Sequence, residues 1–299
     1  MMTQNTRFSR GIERSMQFLY TRKLFAAILI AIYSVAIVML HDPLVNVSVF
    51  VMKKMSIPGY NLFISLLTLT LMISLMIVVF FQLKKHSNQL KIKIILLMFI
   101  VSWLVMHYVF LLEMNIEIIH AFAYGGLIYL FYGYFRLYAA AVIFSIPVML
   151  FDEWNQYVNL YPNYNQYWEL NDVVLDILGE VFILVVFYAL NITSVKSFKP
   201  LYKKPEFIFL IVSTLLFIVL SESQVFATHT VYKCERTVFT MCNLPHEGTD
   251  WYIHTITKKH YLVLSPKDAM LIIIFICSLL LYWDRKSLPK SDSLDRVLK

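Results

Sequence analysis

Charged residues are scarce in this chain. Asp, Glu, Lys and Arg make up 15% of its 299 residues, against about 25% in an ordinary soluble domain, while 59% are hydrophobic. That balance excludes a soluble globular fold and predicts a polytopic membrane protein. Cysteine is scarce too: Cys234, Cys242 and Cys277 are too few for a disulfide framework or a zinc module. The sequence has no P-loop, glycine-rich nucleotide turn, G-x-S-x-G elbow or acid-phosphatase P-S-G-H, and no internal repeat or low-complexity tract. Its net charge of +7 would suggest nucleic acid in a soluble protein. In a membrane protein the position of the cations matters more, and no nucleic-acid partner is expected. A basic stretch precedes LFAAILIAIYSVAIVML, but no small-residue cleavage site follows, which predicts an anchor helix and not a signal peptide.

What is abundant is apolar sequence long enough to cross a bilayer. About 20 residues suffice, fewer where protein covers the ends. Eight segments qualify: 24–40, 61–83, 92–112, 117–135, 137–151, 172–192, 206–222 and 267–283. Pro147 should kink the fifth. With the N-terminus inside, 19 of the 26 lysines and arginines fall on the cytoplasmic side and 7 outside, the bias that orients membrane proteins. The expected fold is all-α, a transmembrane bundle of about eight spans with both termini cytoplasmic and a small external loop or β-hairpin. It would lie as a multi-pass protein in a bacterial inner membrane, with lipids as its first partners.

This topology places an acidic stretch outside. Residues 151–180 read FDEWNQYVNLYPNYNQYWELNDVVLDILGE, with six carboxylates and no lysine or arginine. Asp172, Asp176 and Glu180 recur every fourth residue and so share a helix face, Glu180 about 12 Å deeper than Asp172. Acids at such depth cost about 2.5–3.5 kcal/mol each and turn inward toward partners. Asp152 and Glu153 end the preceding helix, and being adjacent, at most one is expected to point into a common pocket, the other capping or facing water. His120, four residues before Tyr124, lies with Glu113 and Glu117 on the other external turn nearby. One reading is structural: protonated or hydrogen-bonded acids hold the bundle together, and His120 is a core histidine. The other is a polar pocket open to the outside with His120 as base or proton relay. Trp154, Tyr157, Tyr161, Tyr164 and Trp168 are expected to form an interfacial aromatic belt.

Three motifs in order, IIHAFAYGGL (Ile118–Leu127), DEWNQY (Asp152–Tyr157) and NDVVLDILGE (Asn171–Glu180), make residues 92–192 resemble the VanZ-like membrane proteins. The matching positions are His120 and Tyr124, then Asp152, Glu153 and Gln156, then Asp172, Asp176 and Gly179. The resemblance implies a catalytic or binding site made of these side chains. It also implies a role in the bacterial envelope, associated with low-level resistance to the glycopeptide teicoplanin, but no settled reaction. Two departures remove cations that the family usually carries. Glu117 stands where the family has lysine, and Pro162, Asn163 and Tyr164 stand where it has Pro-Gly-Arg.

The chain then divides into a tail and two flanking helices (1–83), a VanZ-like four-helix core (84–204), and two more helices with an external loop at 223–266 and a cytoplasmic tail (205–299). In the loop, THTVYKCERTVFTMC and WYIHTITKKHYLVL flank the turn formers LPHEGTD, which predicts a hairpin between them. Cys234 and Cys242 lie there, on the side where a disulfide can form, while Cys277 reads as a buried thiol. The spacing of His229, His246, His254 and His260 fits no zinc pattern. Three functions remain open. An enzyme could act on a lipid-linked or amphipathic substrate, with Asp172 and Asp176 holding a divalent cation as cofactor. A non-catalytic protein could bind or shield such a ligand. A proton-coupled transporter is the third.

Overall fold

The computed structural model describes residues 7–86, 90–160, 170–192, 200–222, 228–229, 241–242, 251–253 and 259–286. Its helices are α1 (Arg7–Thr21), α2 (Lys23–Met55), α3 (Ile57–His86), α4 (Leu90–Phe110), α5 (Ile119–Phe135), α6 (Tyr138–Asn155), α7 (Leu170–Ala189), α8 (Pro205–Glu222) and α9 (Pro266–Lys286). A 3-10 turn, Asn115–Ile118, leads into α5, and a π-helical turn, Gln156–Leu160, extends α6. The all-α expectation holds, and each of the eight apolar segments is occupied by a helix. Four stretches, Lys23–Met55, Ile57–Leu83, Leu90–Phe110 and Asn115–Phe135, are long and apolar enough to cross a membrane. This is a membrane protein.

α7 lies at the centre. Every residue from Leu170 to Glu180 is buried, and α4, α5, α6 and α9 pack around it. A helix that is apolar on all sides must be buried by protein or lipid, and the acids of α7 require protein. Its tightest neighbour is α5. A Cβ on Gly179 would stand 2.4 Å from the Ala121 carbonyl oxygen, so only glycine lets the two backbones touch. Such contacts between small residues are how helices associate in lipid, which offers no hydrophobic force to drive them together. Gly126 performs the same service for α2, where the Tyr33 hydroxyl lies against it and donates to the Ala123 carbonyl at 3.0 Å.

The peripheral helices are less buried. α2 and α3 bury only 11% of their apolar windows and present leucine, isoleucine and phenylalanine outward, as lipid-facing helices do. At 33 residues α2 runs for about 50 Å, longer than the roughly 30 Å of a hydrocarbon core. The first span was expected to stop at residue 40. Instead the helix continues through Pro43, which stands exposed on its surface.

α1 occupies a stretch that the sequence reading treats as a basic tail. Its apolar side, with Met16 and Leu19 buried, packs on α5, and Leu19 fills the space beside Gly133. Ser15 shares a hydrogen bond with Tyr129, and Glu13 pairs with Arg136 at 2.5 Å. Amphipathicity at helical spacing was the available signal, masked by the arginines on its other face.

Between α8 and α9, the described strands are β1 (Thr228–His229), β2 (Met241–Cys242), β3 (Trp251–Ile253) and β4 (His260–Leu262). β1 pairs with β2 in parallel and β3 with β4 antiparallel, so each half of the segment pairs within itself instead of with the other. The turn formers between the halves and any Cys234–Cys242 disulfide lie outside the described residues.

The Gly179 contact makes a direct prediction. Gly179→Ala should destabilise the bundle by about 1–3 kcal/mol or more through overpacking. Gly11→Ala, with nothing within 4 Å of the added carbon, should leave it unchanged or slightly firmer. Melting of the purified variants in detergent tests this, and equal melting temperatures would contradict the contact.

Candidate functional site

Three helix ends meet at one end of the bundle. α5 begins there after the 3-10 turn, α6 ends there, and α7 begins there. The turn is built by Glu117, whose carboxylate accepts the Glu113 and Met114 backbone N–H groups at 2.8 and 2.6 Å. The residue that replaces the expected cation is thus committed to the backbone. One turn further, His120 projects toward α7.

The imidazole sits between two aspartates of α7. Its Nδ1 is 3.4 Å from Asp176 Oδ1, and its Nε2 is 4.0 Å from Asp172 Oδ2. Below it, Tyr124 donates its hydroxyl to Asp152 Oδ2 at 3.2 Å, its ring stacked with His120 at 6.4 Å. Glu153 Oε1 accepts from Gln156 Nε2 at 3.0 Å. His120, Glu153 and Asp172 each place one ligand-type atom within 4.8 Å of the other two. The structure therefore brings together all seven residues singled out in the sequence: His120, Tyr124, Asp152, Glu153, Gln156, Asp172 and Asp176.

Two expectations need correction. Asp152 and Glu153 were expected to divide, one inward and one toward water, yet both are buried, 0% and 1% exposed. The end of α6 is wedged against both α5 and α7, so side chains about 100° apart each find a protein neighbour. The π-helical turn that starts at Gln156 keeps this end of α6 helical beyond both acids. The site is also closed: His120 is 7% exposed and Asp176 0%. It is a polar core at one end of the bundle and not an open hollow.

Of the aromatic belt, Trp154 is half-buried against Phe151, but Tyr157 is 3% exposed and faces protein. Tyr161, Tyr164 and Trp168 lie outside the described residues, as do Pro162 and Asn163.

Other participants were not anticipated. His41 of α2 packs edge-on against His120, ring centroids 5.4 Å apart, from a helix outside the four-helix core. Its signal was slight, a histidine directly after an apolar run. Asn171 ties the end together: its amide donates to the Leu111 and Leu262 carbonyls at 2.8 and 2.7 Å, and its oxygen accepts the Leu264 N–H at 2.9 Å. Deeper along α7, Glu180 Oε2 is 2.6 Å from Ser145 Oγ, so the third acid of the row has a partner on α6.

The charge balance is unusual. Asp152, Glu153, Asp172 and Asp176 surround one imidazole, and the ion pairs of Asp172 and Asp176 among the described residues are both with His120. Among the described residues, Asp172 Oδ1 and Asp176 Oδ2 are buried with no hydrogen-bond partner. Buried polar atoms are normally paired, and each exception needs a proton, an ion or a ligand to explain it. A chemically useful arrangement follows. A carboxylate on Nδ1 fixes the orientation of the ring, which leaves Nε2 as the atom that takes or gives a proton.

Removing the imidazole should expose the cost of the acids. His120→Ala is expected to destabilise the protein by about 3–5 kcal/mol, the range for stranding one partner of a buried ion pair. Adding Asp172→Asn and Asp176→Asn should restore most of the loss. Melting temperatures of the single and triple variants decide it, and a single variant as stable as the parent would refute the charge coupling.

No protein-family model matches the chain, and no curated protein or solved structure shows significant similarity to it.

Proposed function

We propose that the chain is a VanZ-like multi-pass protein of the bacterial inner membrane. It crosses the bilayer eight times with both termini in the cytoplasm, and its His/Asp/Glu site lies at the extracytoplasmic face. There it acts on a lipid-linked or amphipathic envelope substrate, in a role similar to glycopeptide resistance. The observation that carries the reading is the imidazole held between Asp172 and Asp176 on neighbouring helices. Its orientation is supported by the opposite end of the bundle, where Lys93 reaches the Ala189 carbonyl and Asn191, and Arg136 meets Glu13. The cationic end is the one that stays cytoplasmic.

In this reading His120 Nε2 exchanges a proton with a hydroxyl or headgroup oxygen of the substrate. Asp176 orients the ring, and the Tyr124–Asp152 pair holds a second proton nearby. Positioned proton transfer of this kind contributes about 10²–10⁴-fold. Compared at matched protein level, alanine at His120, Asp152 or Asp172 should therefore change envelope-lipid composition and teicoplanin susceptibility. Unchanged lipids and susceptibility at normal protein level would refute the reading. If the phenotype survived those changes but failed when Trp154 was replaced, non-catalytic binding would stand in its place.

A second reading is favoured by one observation. The acids of α7 continue inward through Asp176 to Glu180 and Ser145, a path a proton could follow. Glu180→Gln should then abolish proton movement in reconstituted vesicles while leaving lipid composition unaltered, and equal proton flux would dispose of the transporter.

A further inference from the structure

We propose that His120, Glu153 and Asp172 bind one divalent cation of the Zn²⁺ or Mn²⁺ type. The proposal rests on the outward site described above and specifies what that site uses to hold a substrate. Three different helices contribute the ligands, α5 through His120, α6 through Glu153 and α7 through Asp172, and their ligand atoms all lie within 4.8 Å of one another. Two ligands about 2.1 Å from a metal and in tetrahedral arrangement stand about 3.4 Å apart. The 4.0 Å between His120 Nε2 and Asp172 Oδ2 needs about 0.6 Å of closure around the ion, and the 4.8 Å span of the whole set up to about 1.4 Å, a movement of side-chain size.

Independent support comes from a buried oxygen. Asp172 Oδ1 has no hydrogen-bond partner among the described residues, although the residue is 4% exposed. Several carboxylates against one imidazole leave a surplus of negative charge that a dication neutralises. The second nitrogen of the ring also faces a carboxylate. Asp176 faces Nδ1 at 3.4 Å, the carboxylate–histidine arrangement that fixes the tautomer of a metal-bound imidazole with Nε2 toward the ion. In this respect the structure refines the expectation from sequence, since Asp176 orients and Glu153 ligates.

One imidazole with two carboxylates suits Zn²⁺ or Mn²⁺ better than the all-oxygen preference of Ca²⁺ or Mg²⁺. Three protein ligands are the number used by catalytic sites, where water or substrate supplies the rest. With Nε2 on the ion, His120 no longer exchanges a proton, and that role passes to the Tyr124–Asp152 pair. The ion would draw a phosphate or hydroxyl headgroup to a site where Glu117 replaces the expected cation, and it would polarise that group as a Lewis acid.

The full-length protein in detergent, stripped with EDTA, should bind about one equivalent of ZnCl₂ or MnCl₂ in calorimetric titration and melt at a higher temperature once loaded. Glu153→Gln and Asp172→Asn should each weaken binding at least about 100-fold, and Asp176→Asn about 10–100-fold. A variant lacking His229, His246, His254 and His260 of the external loop should bind like the parent. The proposal is overturned if the stripped parent binds neither metal, if Glu153→Gln and Asp172→Asn leave affinity unchanged, or if the loop variant loses the ion. Because the parent titration decides the first point, a variant that fails to fold does not shelter the idea. Metal binding lost in the variants with unaltered envelope lipids would sink the reading of the previous section and keep this one. Altered lipids in a protein that binds no metal would do the reverse.

Discussion

The contact between the α5 backbone at Ala121 and the α7 backbone at Gly179 is the constraint on which the site depends. Within lipid, helices gain nothing by hiding apolar surface from one another, so close van der Waals approach must hold them. Gly179 permits an approach that any Cβ would block, and His120 lies one residue from the point of contact. The imidazole is therefore delivered to the Asp172–Asp176 face of α7 by packing and not by attraction between charges. The order matters, because attraction alone would have to repay several kcal/mol of desolvation for each buried ion.

The same pair of helices divides two environments. On one side of the contact lie the imidazole and the carboxylates. On the other, Gly125, Gly126 and Gly179 line a cavity of about 810 Å³ shared with α3 and α4, walled almost entirely by apolar side chains. α3 forms its outer wall and is tied to the site end by Ser65, which bonds Tyr108 at 2.7 Å and Asn115 at 3.0 Å. Polar chemistry and lipid-like surroundings thus lie back to back across a layer of small residues. A substrate with a polar head and an apolar tail needs both environments.

Much of this arrangement could be read from the residues, for reasons that are physical. The length and polarity of the apolar runs marked the helices, since crossing lipid tolerates few alternatives to a helix. The four-residue spacing of Asp172, Asp176 and Glu180 marked a buried face, because acids on a lipid-facing side would cost too much. Other features depended on distance across the chain. His41 comes to His120 because α2 packs along α5, and no local pattern announces the pairing. The inward turn of both Asp152 and Glu153 follows from α6 being gripped on two sides. α1 was hidden because its arginines dominate its composition, although its apolar residues recur at helical spacing.

The two ends of the bundle show what the site is not. At the cationic end Arg136 pairs with Glu13, and Asp284 caps α6 by accepting the Tyr138 and Ala139 N–H groups at 3.0 and 2.8 Å. There opposite charges are matched and a carboxylate completes a helix terminus, the pattern expected of groups that hold structure together. At the His120 end, acids outnumber the imidazole they surround, and Asp172 Oδ1 and Asp176 Oδ2 are buried with no hydrogen-bond partner among the described residues. Replacing a buried ionic cluster by apolar side chains is often neutral or stabilising by about 1–4 kcal/mol, so stability alone is a poor reason to place these groups together. This difference between the two ends is what the proposed ligand would account for.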